Sequence, residues 1–76
     1  MLKILELKRD RNSIYGNPRW EISAIADDGT FLRGKTAANS ILAFEIRENW
    51  KYETVDLAFH KTPKGRIIFD RLIEHK

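Results

Sequence analysis

Seventy-six residues, 42% hydrophobic and 33% charged, describe one globular domain near the smallest size that folds without metal, disulfides or oligomerisation. The absence of cysteine excludes a disulfide framework and a thiolate zinc site, and no apolar run approaches the ~20 residues of a membrane span. The formal net charge of +3 is modest but segregated: residues 1–20 hold five Lys/Arg against two acids, whereas residues 21–34 hold one Arg against three acids.

The N-terminal residues lack the regions of a secretory signal, so the expected setting is the cytosol. Leu2 to Lys8, rich in Leu and Ile, reads as a first strand. A loop follows, Arg9 to Trp20, with three arginines, Tyr15 and Trp20 around a Gly16-Asn17-Pro18 turn signal. Arg19 to Ala26 then alternates with period two, placing Trp20, Ile22, Ala24 and Ala26 on one face of a second strand. Trp20 therefore reads first as a core residue and second as a ligand platform. Asp27-Asp28-Gly29 marks a tight turn, not a metal pair, and returns the chain as a third, antiparallel strand over residues 30–35.

Thr36 is a candidate helix N-cap, and from Ala37 the apolar residues adopt helical spacing, which predicts one helix over about residues 37–48 with Asn49 after its end. Glu45 falls within the apolar arc, where a carboxylate needs a partner at the rim. Trp50 and Tyr52 are expected to close one end of the core. Alternation resumes from Tyr52 to His60 as a fourth strand, and Thr62-Pro63-Lys64-Gly65 provides a hairpin turn into a fifth over Arg66 to Arg71. Residues 72–76 either extend that strand or form a short helix.

The order β-β-β-α-β-β gives an α+β fold with five strands. It is either a small open antiparallel sheet or a partly open barrel with the element order of the OB-fold. In OB-folds the second and third strands and the loops joining strands one to two and four to five form the binding surface. On that template both loops are basic: Arg9, Arg11, Tyr15, Arg19 and Trp20 lie in the first, and Lys61, Lys64 and Arg66 in or beside the second. Cationic groups flanked by aromatic rings suit nucleic acid, single strands above all. Taken singly, the arginines also suit a solvated surface paired with acids such as Asp10 and Glu21. His60 and His75 have no spacing suggestive of a metal site or triad, and no second group is placed to cooperate with Glu45, so neither catalysis nor a cofactor is expected.

The runs Ser13 to Ile22, Asp28-Gly29, Lys35-Thr36, Ala43-Phe44-Glu45-Ile46 with Asn49, and Gly65-Arg66-Ile67 resemble a family of small uncharacterised proteins from bacteriophages and integrated mobile elements. The resemblance implies a bacterial or phage setting and no particular activity. It also supports an alternative to nucleic-acid binding, a module that binds and modulates a host or defence protein through the same loop. Oligomeric state is open.

Overall fold

The computed structural model describes residues 1–12 and 14–75. Ser13, within the arginine-rich loop, and Lys76, at the end of the tail, lie outside the described residues. Five strands, β1 (Leu2–Asp10), β2 (Arg19–Ala26), β3 (Phe31–Thr36), β4 (Thr54–Lys61) and β5 (Ile67–His75), close into a barrel in the order β1-β2-β3-β5-β4. Closure comes from a short antiparallel pairing of β1 with β4, Leu2 opposite Val55 and Lys3 opposite Thr54. The remaining strands pair antiparallel except β3 and β5, which run parallel from Gly34 opposite Ile67 to Thr36 opposite Phe69. This is the OB-like alternative of the two expected from the sequence, and the parallel pair distinguishes it from an open antiparallel sheet.

Period-two patterning explains the barrel wall, and bulges explain where the pattern slips. Leu2 and Ile4 face the core before Leu5, whereas Leu7 packs against it afterwards, because the β1–β2 register shifts between Ile4 and Glu6. One extra residue in a strand reverses which side chains face inward and adds the twist that a closed sheet requires. β5 slips twice against β4 and continues to His75, so the tail belongs to the strand. There the His75 ring lies 4.8 Å from that of Trp50.

The core contains Ile4, Ile22, Ala24, Val55, Leu57 and Phe69 from the strands, plugged at one end by Leu42, Ile46 and Trp50. These plug residues come from the β3–β4 connection, which holds helix α1 (Leu42–Glu45) and a 3₁₀ turn over Glu48–Trp50. The helix is far shorter than the expected 37–48. Thr36 does not cap it. Thr36 ends β3 fully buried, its hydroxyl accepting a hydrogen bond from the Trp20 backbone N–H at 3.1 Å. Ser40 supplies the local start, its hydroxyl oxygen accepting from Leu42 N–H at 3.0 Å. Ile46 is extended, which ends the helix after Glu45 and turns Ile46 and Trp50 into the barrel.

Two further expectations change with the short helix. Ile41 and Phe44, placed by spacing on the buried arc, are 70% and 54% exposed. Tyr52 does not close the core as Trp50 does. Its backbone takes a φ of 68°, it lies before β4, and its exposed ring carries the Lys51 ammonium 5.3 Å from the ring centre. Both expected hairpin turns form, with Gly29 at φ 88° and Gly65 at φ 82°, a backbone region that side chains other than glycine's rarely adopt.

A candidate nucleic-acid interface on the barrel wall

Because β3 alternates, Leu32, Gly34 and Thr36 belong to the inner face and Phe31, Arg33 and Lys35 to the outer one. On β2 the outer set is Arg19, Glu21, Ser23 and Ile25. Register places Glu21 opposite Lys35, Ser23 opposite Arg33 and Ile25 opposite Phe31. The β4–β5 turn adds Gly65 and Arg66, because the parallel pairing of Gly34 with Ile67 brings the residues before Ile67 alongside β3. The result is a groove of about 460 Å³ lined by Arg19, Arg33, Lys35 and Arg66, with Glu21 as its acid and Ile67 and Ile68 as apolar wall.

Each charge in the groove is held in a defined way. Arg19 donates from Nε at 3.1 Å and from Nη2 at 2.8 Å to the Thr36 carbonyl oxygen, so its guanidinium is oriented by the backbone. Arg33 pairs with Glu21, its Nε donating to Oε1 at 2.6 Å. Lys35 Nζ lies 2.8 Å from Asp10 Oδ2. That hydrogen bond, followed by one from the Arg11 backbone N–H, holds the Asp10 carboxyl below its ordinary range. Arg66 is exposed at the rim, where its backbone N–H donates to the Thr62 hydroxyl oxygen at 3.1 Å.

Of the residues expected from the sequence, Arg19 and Arg66 meet in this groove. Arg9 serves the loop instead: Nη1 donates to the carbonyls of Asp10 at 2.6 Å and Arg19 at 3.0 Å, and Nη2 to Asn12 Oδ1 at 2.8 Å. Trp20 packs against the core and donates from Nε1 to the Ala43 carbonyl at 3.1 Å, which ties β2 to α1. Arg11 and Tyr15 are exposed on the β1–β2 loop, and Lys61 and Lys64 are exposed beside the β4–β5 turn, outside the groove lining. Arg33 was missed because residues 21–34 look acidic as a block, and Lys35 because it stands beyond that block in a strand and not in a basic loop. Their i, i+2 spacing on the polar face of the third strand is the signal that finds them.

The other chemistry-bearing groups lie elsewhere. His60 Nδ1 and Asp70 Oδ2 are 2.7 Å apart, linking β4 to β5 on the barrel exterior. Asp28 caps its own turn, its Oδ1 accepting from Thr30 N–H at 2.9 Å, and hydrogen bonding from the Thr30 side chain, followed by that backbone bond, holds its carboxyl below the ordinary value. Asp27 receives the N-terminal ammonium at 3.2 Å. Glu45 is half-buried and does not line the basic groove. Among the described residues no cluster of His, Asp or Glu is arranged to hold a metal ion, and no helix is long and apolar enough to cross a membrane.

Compared with protein-family models, curated proteins and solved structures, the chain matches none of them.

Proposed function

We propose that this protein is a non-enzymatic module that binds single-stranded nucleic acid along the outer face of β2 and β3, working in the cytosol. The observation that carries this reading is the convergence of Arg19, Arg33, Lys35 and Arg66 on one groove containing a single acid, Glu21. Three guanidinium groups and an ammonium offer forked and point-charge partners for phosphate, and the groove lies on the barrel face that OB-folds use for oligonucleotides. Fold alone does not assign function, and the charge arrangement supplies the second support. Attraction of this kind is tolerant of sequence and weakens as salt displaces it, with a log–log slope of ~0.7 per phosphate contacted on a single strand. The test is fluorescence anisotropy of a labelled oligothymidylate across a salt series. Binding that weakens steeply with salt supports the reading, and no binding at low salt refutes it.

A second reading, a module that binds a host or defence protein, draws on the exposed Ile14 and Tyr15 of the β1–β2 loop and Ile41 and Phe44 of the β3–β4 connection. The Asn17 side chain ties these regions together by donating to the Ala38 carbonyl at 3.3 Å. A protein recovered on pull-down from bacterial lysate after nuclease treatment, and lost on Phe44→Ala, would favour it.

A further inference from the structure

We infer that Phe31 is a base-stacking platform, so that the groove takes a strand with unpaired bases and not any polyanion; this deepens the nucleic-acid reading and rests on it. Phe31 is 58% exposed although it stands within a strand, on the outer face, in line with Arg33 and Lys35. Its cross-strand partner is Ile25, which is half-buried. A phenyl group left largely in water forgoes hydrophobic free energy, and its cross-strand pairing with Ile25 accounts for only ~0.2–1 kcal/mol.

The spacing gives the ring a specific use. Alternate residues of a strand lie about 7 Å apart, close to the step between successive phosphates of an extended single strand. Phe31, Arg33 and Lys35 thus present one flat ring followed by two cations at the repeat of the ligand. Arg66 approaches the same edge from the β4–β5 turn and holds the backbone while a base lies on the ring. Duplex bases are already stacked on one another and cannot use the platform, and anionic glycans carry charge but lack the planar ring.

The experiment compares a labelled oligothymidylate with an abasic oligonucleotide of equal length, which keeps the phosphates and lacks the bases. Wild type is expected to bind oligothymidylate more tightly. Phe31→Leu should weaken oligothymidylate binding about tenfold or more and leave abasic binding unchanged, whereas Phe31→Trp should restore it. Phe31→Thr, which suits a strand, provides the same reading if leucine perturbs the sheet. Loss of stacking without loss of charge binding is the supporting pattern. If these variants bind oligothymidylate as wild type does, or lose both probes equally, the platform is refuted while the basic groove stands. If wild type binds neither probe at low salt, both the platform and the nucleic-acid reading fall.

Discussion

A Cβ atom on Gly34 would lie 2.2 Å from the carbonyl oxygen of Ile67, so the parallel seam between β3 and β5 closes only because residue 34 has no side chain. The seam does two things at once. It completes the barrel, and it brings Arg66 to the edge of the strand that carries Arg33 and Lys35. Gly34→Ala must push backbone against backbone, which flexible side chains cannot relieve. We expect a loss of about 1–3 kcal/mol, read as a lower urea midpoint, together with weaker oligonucleotide binding.

Arg66 and Arg9 separate charge proposed to bind nucleic acid from charge that builds the fold. Arg66→Ala should leave the urea midpoint near wild type, while weakening oligonucleotide binding and lowering the salt slope by roughly one contact's worth, ~0.7. Arg9→Ala removes the bonds to Asp10, Asn12 and Arg19 and should cost ~1 kcal/mol of stability, with less effect on the salt slope. Two arginines at the ends of different connections, Arg9 before the β1–β2 loop and Arg66 in the β4–β5 turn, thus give opposite results in the two assays.

Carboxylates hold two groove cations in the free protein, Glu21 on Arg33 and Asp10 on Lys35. On the proposed function, a phosphate must compete with them. Glu21→Gln should therefore tighten oligonucleotide binding several-fold and steepen its salt dependence, as anisotropy will record. Unchanged affinity would mean that Arg33 does not contact the ligand.

Acid should weaken the fold through the two carboxylates whose pKa is lowered, Asp10 by its hydrogen bond with Lys35 and Asp28 by its bond from Thr30. A group depressed in the folded state contributes fully above its unfolded value, near 3.8 for both, and loses that contribution as pH falls through the folded value below it. Urea midpoints should hold steady down to about pH 5 and then decline. The decline should be shallower in a variant carrying Asp10→Asn and Asp28→Asn.

Thr36→Val keeps the shape of a fully buried side chain but removes the acceptor for Trp20 N–H, with an expected cost of ~1–3 kcal/mol. Arg19 bonds the Thr36 carbonyl, not its hydroxyl, so oligonucleotide affinity of the folded variant should persist.

Thr36 also shows where the sequence stops being readable. A threonine before an alanine-rich stretch looks like an N-cap, and only the pairing of β3 with β5 reveals that it belongs to the core. The strands and turns were legible because alternation and turn glycines are local signals. The helix was not, because Leu42, Ile46 and Trp50 follow the demand of the barrel's open end and not a continuous helical face. The site was half legible for the same reason. Arg19 and Arg66 stand next to turns and are conspicuous, while Arg33 and Lys35 gain meaning only when register sets them beside Glu21 on the outer wall.

Binding of oligothymidylate by wild type and by Arg33→Ala/Arg66→Ala, each titrated with salt, addresses the groove most directly. Wild-type affinity should fall with a log–log slope of about 2 to 3, as expected for four cations on a single strand, and the double variant should bind more weakly with a slope lower by about 1.4. Equal affinity and equal slope in the two proteins would show that the groove on β2 and β3 is not where nucleic acid binds.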